Sequence, residues 1–400
     1  MFEGPDPKAA TKRAQLELLN KMNAFDRLLF SIEAKARARR LILSEEALLR
    51  HVLILGTTGS GKTNHAFHLI TEAMSRENCP SCVVIDVKGE YKALKSFLSC
   101  DVRVFSVGGE PRAKFNPLAP PKGVDVAHWE RAFADVFTRA YGLSEPSRRI
   151  LLDSMYELRG NSAYTLRELE GQVAKFQTGS PKEQGSKRSL EGRLHIINTG
   201  PVGESLNSEE SLDLEGMDRQ VTIFEIGDVD SMRDQAFLAE LLLLYLWQHD
   251  KKVETEHEVL KRLVVVEEAH RYLSEERPPE KRGERTLLEL AIAEARRYGW
   301  GFVIVDQMPT LLSQYVWDNA GTVLAHRLAN WESYLKVEGA LVEDPANLGK
   351  RVNRDVMAPL FLKLPEYLAA YKRYVVGKTL LGEPSIGFVM VPEMEPGSQG

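Results

Sequence analysis

Cysteine is scarce in this chain: Cys79, Cys82 and Cys100 are the only three among 400 residues. Three thiols exclude a disulfide framework and leave reduced cysteine as the expectation. Long apolar runs are missing as well. The best candidate, Ala236 to Trp247, falls short of the roughly twenty residues that a membrane-crossing helix needs, and Glu240 interrupts it. The amino terminus, MFEGPDPKAATKR, lacks the apolar core of a secretion signal, so the expected location is cytoplasmic. There is no excess of positive charge either, since 52 Lys and Arg stand against 57 Asp and Glu for a net charge of -5. Any contact with nucleic acid must therefore come from a local surface or from a pore built by several subunits. Cys79 and Cys82 follow His65 and His68, so a two-His, two-Cys zinc site can be written on paper. Both histidines, however, fall in a helix already needed to pack on a sheet, and packing histidines with a structural turn is the preferred reading.

What is present is a soluble composition, 43% hydrophobic and 27% charged, long enough for two or three structural units. Its centre of organisation is HVLILGTTGSGKT, from His51 to Thr63. Val52 to Leu55 read as a short buried strand. They run into Gly56, Thr57, Thr58, Gly59, Ser60, Gly61, Lys62 and Thr63, which fit G-x-x-x-x-G-K-[ST], and Asn64 continues into a helix. Glycines let several backbone N–H groups converge on one point, and the helix aims its positive end at the same place. Such a nest binds phosphate. Lys62 is expected to reach the β- and γ-phosphates of ATP, and the Thr63 hydroxyl to ligate the Mg2+ that bridges them.

Before this loop, Leu18, Met22, Phe25, Leu29 and Ile32 form an apolar stripe along one helix, whose end carries Lys35, Arg37, Arg39 and Arg40. Arg40 to Leu43 suggests a short strand leading into Ser44 to Arg50. After the loop, Val83 to Ile85 ends in Asp86-Val87-Lys88-Gly89-Glu90, and Val102 to Val107 is a further strand. Strands alternating with helices predict a doubly wound, mostly parallel sheet whose ligands gather at the carboxyl ends of the strands. The pattern changes after FNPL at Phe115 to Leu118. From Val124 to Phe176 it is helical only, over Trp129 to Tyr141, Ser147 to Leu158 and Thr165 to Phe176. The polar stretch QTGSPKEQGSK, within residues 177–189, reads as a mobile surface loop.

The sheet pattern resumes at Val221 to Ile226, then comes an apolar helix around Leu238 to Trp247 and the strand Leu263 to Val266. That strand ends in Glu267-Glu268-Ala269-His270. Two adjacent acids at a strand end, with a phosphate loop upstream, match the second half of a nucleoside-triphosphatase site: Glu267 on the metal side, Glu268 activating water. A helix over Thr286 to Tyr298, with Leu287, Leu288, Ala291 and Ala295 inward, carries Arg296 and Arg297 and stops at Gly299. Phe302 to Val305 ends in Asp306-Gln307, and Thr322 to Ala325 in His326-Arg327.

In order, GTTGSGKT, IDVKGEY, FNPL, a helical insertion, VTIFEI, VVVEEAH and EARRYGWGFVIVDQMP resemble the HerA and FtsK branch of P-loop ATPases, including the ATPases and coupling proteins of type IV secretion and conjugation. The likeness covers about Leu43 to Leu328. It implies an α/β, RecA-like doubly wound sheet with an all-α insertion and an N-terminal helical extension. The implied units are an extension over 1–42, the first part of the ATPase domain over 43–118, the insertion over 119–215, and the remaining ATPase domain and tail over 216–400. It further implies an ATP-hydrolysing homo-hexamer translocating double-stranded DNA, with Gln307 sensing the γ-phosphate and Arg296 or Arg327 completing a neighbour's site. A nuclease or secretion-system partner belongs to the same picture. The alternative is an ATPase powering conjugation, secretion or pilus assembly on a protein or nucleoprotein substrate. Two residues depart from the family pattern: Glu267 replaces the usual aspartate, and Met308 the arginine of Q-R-P.

Overall fold

The computed structural model describes residues 22–39, 41–159, 164–209, 212, 215–251, 259–274, 286–341, 354–373 and 386–394. Leu18 and Arg40, assigned above to a helix and to its basic end, lie outside them.

Chain order is helix-strand from the start. Helix α1 (Ala24–Arg37) and α2 (Glu45–Leu49) precede β1 (Val52–Leu55), which is followed by α3 (Lys62–Met74), β2 (Ser81–Asp86) and β3 (Val102–Ser106). Residues 41–44, the described part of the strand expected from Arg40 to Leu43 and the residue after it, form no strand. Leu43 is buried instead, and its carbonyl accepts from the Arg76 guanidinium on the far end of α3, so a side chain satisfies what a sheet neighbour would have.

Helices α4 (Val126–Ala140), α5 (Glu145–Leu158), α6 (Leu166–Lys175), α7 (Pro181–Thr199) and α8 (Pro201–Leu206) make up the insertion. Asp125, Ser144 and Ser180 cap three of them through their side chains. Helix α7 overturns the expected loop at 177–189. Ser180 accepts from the Glu183 N–H, Pro181 sits in the first turn, and Lys187, Leu190, Leu194 and Ile197 are buried along one face. The polar residues that suggested a loop are that helix's solvent side. Trp129 ties the insertion to the rest, its indole donating to the Pro117 carbonyl at 3.0 Å and its ring meeting Tyr245 edge-on at 5.3 Å.

The second part runs β4 (Val221–Glu225), α9 (Met232–Asp250), β5 (Arg262–Glu267), α10 (Leu287–Glu294), β6 (Trp300–Asp306), α11 (Gln314–Asn319) and β7 (Thr322–Ala325). It continues with α12 (Trp331–Leu341), α13 (Arg354–Leu362), β8 (Leu368–Arg373) and β9 (Gly387–Met390). Helix α10 tightens into a 3-10 turn at Ala295–Tyr298 before Gly299, with φ 72°, ends it as expected.

The strands form one sheet in the order β3-β4-β2-β5-β6-β1-β7-β8-β9. Pairings from β3 through β7 are parallel, and the last two, β7 with β8 and β8 with β9, are antiparallel. Strands β1, β2, β5, β6 and β7 are buried along their whole length, as a sheet covered on both faces requires. All five end at one edge. The antiparallel pair β8–β9 lies beyond Leu328, where the recognisable motifs end.

Candidate nucleotide site

The edge is built around the turn that leaves β1. Gly56 donates its N–H to the Asp306 carbonyl at 3.2 Å and Thr57 to the Arg327 carbonyl at 2.8 Å, so the loop is fastened to the ends of both flanking strands. Gly61 adopts φ 95°, and a Cβ there would lie 2.7 Å from the Tyr367 ring, so both conformation and space demand glycine. The Tyr367 N–H in turn donates to the Ser60 carbonyl at 3.1 Å, which seats the start of β8 against the loop.

Lys62 is buried and its ammonium donates to the Thr57 carbonyl at 2.8 Å, folding over the loop. Burial, with the nearby charge of Lys88, lowers its pKa to about 8, against the raising influence of Glu268, Asp306 and Glu267. The Thr63 hydroxyl donates to Glu90 at 3.0 Å, and the Thr58 hydroxyl to the Gln307 side-chain oxygen at 2.8 Å. Thus Gln307 stands directly over the phosphate loop. Asn64 exchanges hydrogen bonds with the chain end, donating to the Pro392 carbonyl at 2.8 Å and accepting from the Met394 N–H at 2.9 Å.

Glu267 and Glu268 leave β5 with their side chains 1% and 2% exposed. Glu268 holds the left-handed conformation, φ 50°, uncommon for a residue with a Cβ. Lys88, from the turn after β2, lies 3.2 Å from one Glu267 oxygen and 2.6 Å from one Glu268 oxygen. The other oxygen of each carboxylate is buried without a hydrogen-bond partner. Burial, opposed by the Lys88 charge and joined by the charges of Asp86 and Glu90, raises the Glu267 pKa to about 7. An orphaned buried carboxylate oxygen, on acids close enough to act on the charge of the phosphate-loop Lys62, fits a magnesium site, since that ion takes few protein oxygens and completes its shell with phosphate and water.

Asp306, at the end of β6, accepts both the His270 backbone N–H at 2.7 Å and its ring Nδ1 at 3.0 Å, while His270 Nδ1 lies 3.6 Å from the second Glu268 oxygen. Burial disfavours the imidazolium, but the hydrogen bond and charge of Asp306, with Glu268 adding to them, hold the His270 pKa above its ordinary value. Sequence reasoning noted Asp306 and His270 only as strand-end residues. Their pairing is made by the β5–β6 register, in which Glu267 lies opposite Val305, and only the unusual density of polar residues after neighbouring strands hinted at it.

His65 Nδ1 lies 3.2 Å from His326 Nε2 and His68 Nε2 meets the Pro392 carbonyl at 2.9 Å, so both histidines serve packing. The two candidate arginines separate. Arg327 is half-buried beside the loop at the edge where β7 ends. Arg296 is exposed and precedes β6, which puts it across the sheet from Gln307, about 20 Å away at the rise of a strand. There it lines a cavity of about 680 Å³ with Arg50, His51, Trp317 and Lys336.

Residues 37–244 match the family model described as "Helicase HerA, central domain". Among solved structures, the chain is similar to VirB4 of Thermoanaerobacter pseudethanolicus, with 16% identity, 86% of this chain and 89% of that one covered, and a TM-score of 0.60. It is also similar to the bacterial conjugative coupling protein TrwB, with 13% identity, 93% of each chain covered and a TM-score of 0.65. TrwB has been solved with ADP and Mg2+ and with a non-hydrolysable ATP analogue. No curated protein sequence matches the chain.

Proposed function

Since the chain belongs to the family of the HerA helicase central domain, we propose that it is an ATP-hydrolysing motor, working as a homo-hexameric ring that moves double-stranded DNA. The observation that carries this reading is the facing of a phosphate loop by two buried acids, each with one oxygen free of hydrogen bonds. ATP is bound with Mg2+, as the ligands of the TrwB structures encourage. The metal supplies charge neutralisation between the β- and γ-phosphates. In this reading the backbone from Gly56 to Asn64 would hold the phosphates, Lys62 would turn to them from the Thr57 carbonyl, and Thr63 with Glu267 would hold the cation. Glu268 takes the proton of the attacking water through its second oxygen. Gln307, already bonded to Thr58, reports the γ-phosphate to β6. Among the described residues the arginine beside the loop, Arg327, is only half-exposed, which favours a finger from a neighbour. Arg296, exposed across the sheet, suits that role, with Arg327 second.

Two unrelated duplexes of equal length test the function. Each should raise the ATPase rate severalfold, to the same extent, and the stimulation should fade steeply as salt rises, because contact is with phosphates. Full ATPase activity that no duplex alters at any salt would exclude DNA as the substrate and leave the conjugation, secretion or pilus reading, in which a protein or nucleoprotein is moved.

A further inference from the structure

The turn after β2 carries a cation that the roles above leave unused. Buried Asp86 accepts the N–H groups of Lys88, Gly89 and Tyr91, each at 2.9 Å, so the backbone is held on both sides of Lys88. The Lys88 ammonium sits between the two glutamates, 3.2 Å from Glu267 and 2.6 Å from Glu268, and bonds one oxygen of each. It is therefore built into the pair rather than passing over it.

Two adjacent buried carboxylates with no counter-charge attract any divalent cation, since nothing else relieves their repulsion and lost hydration. A tethered ammonium relieves both. It also leaves each acid only one oxygen without a hydrogen bond, that of Glu268 lying 3.6 Å from His270 Nδ1, too few ligands to hold a bare metal ion without phosphate. A free dication entering the site meets the ammoniums of Lys62 and Lys88, whereas a metal–nucleotide complex is net negative and is drawn in by them. We propose that Lys88 is a resident counter-ion that bars divalent metal from the nucleotide-free site, so that metal enters only as its complex with a nucleoside triphosphate. This rests on the assignment of Glu267 and Glu268 to metal and base. Lys88 is a positioning residue: it acts through the two glutamates that its ammonium bonds.

Binding of Mn2+ to the full chain, followed by electron paramagnetic resonance without nucleotide, tests the idea. Wild type and Lys88→Arg should leave the ion free at concentrations where Lys88→Met, which keeps the stem and loses the charge, binds one ion at least tenfold more tightly. Adding Glu267→Gln to Lys88→Met should abolish that binding. With a non-hydrolysable ATP analogue present, wild type should take up Mn2+ as well. Equal Mn2+ affinity for wild type and Lys88→Met without nucleotide would overturn the proposal, and so would tight binding by wild type alone, a result that needs no variant to fold. Failure of wild type to bind the Mn2+–analogue complex would instead remove the nucleotide-site reading, and this proposal with it.

Discussion

Lys62 and Glu268 lie close enough for the carboxylate to act on the ammonium's charge, yet replacing them should fail in different ways. In the proposed roles Lys62 meets phosphate in ground and transition states alike, so Lys62→Ala should lose binding of a fluorescent ATP analogue. Glu268→Gln keeps the shape and removes the proposed base, so the analogue should bind normally while turnover falls about a thousandfold or more. Wild-type turnover by Glu268→Gln would show the base to be elsewhere. At the other end of the sheet, His51 is fully buried, its Nδ1 accepting the Phe302 N–H at 3.1 Å and its Nε2 bonding the Ile292 carbonyl at 2.9 Å. Burial, only partly offset by the Ile292 carbonyl, lowers its pKa from 6.5 to about 4. The folded chain thus refuses a proton that the unfolded chain accepts. Stability is complete above pH 6.5 and drains away as pH falls toward 4, by an amount on the order of 3 kcal/mol at 1.36 kcal/mol per unit. Denaturation midpoints at pH 7.5, 6 and 5 should fall steadily in wild type and less steeply in His51→Gln; identical slopes would refute the account. At this scale the sequence was legible where one short stretch carries the whole feature, as Gly56 to Thr63 does. Lys88, His270 and Asp306 were not, because their partners lie on other strands and only folding brings them together.

Elements were legible in proportion to their local signals. Strand β1 and the three helices from Val126 to Lys175 follow directly from apolar spacing and caps. Helix α7 was hidden by Gly185 and Gly192, which lower helix propensity inside it, although its cap and buried stripe are both written in the chain. Neither glycine has a neighbour within 4 Å of an added Cβ. Gly185→Ala and Gly192→Ala should therefore each stabilise the protein by about 0.5–1 kcal/mol in urea unfolding, and a loss would contradict the helix. Gly227, just past β4, is the opposite case: a Cβ there would stand 2.2 Å from the Val87 carbonyl, in the turn that carries Lys88. Gly227→Ala should cost about 1–3 kcal/mol and depress ATPase activity, since the turn must shift to admit it. Antiparallel β8 and β9 escaped notice because β7, the strand on which β8 pairs, is the last with a motif attached to it.

For the whole molecule, Arg296 is exposed across the sheet from its own phosphate loop, and the proposed ring would make the site a property of two subunits. Inactive Arg296→Ala mixed with inactive Lys62→Ala should regain part of the wild-type ATPase rate, because some interfaces then join an intact loop to an intact arginine. A monomer with full activity at every dilution would rule this out. Strand order has a consequence of another kind, one of timing. Val52 pairs with Val303 and Thr322, so β1 is synthesised 251 residues before the first strand that flanks it. At roughly 5–20 residues per second, the ribosome leaves it waiting about 12–50 s with both edges bare. Val52 to Leu55, wholly apolar and paired on both sides in the end, spends that interval as a sticky, unpartnered segment. The newborn chain therefore needs either shelter from chaperones or a loosely collapsed holding state. The phosphate loop, which depends on β6, β7 and Tyr367 for its fastenings, takes shape only after nearly all of the protein has been made.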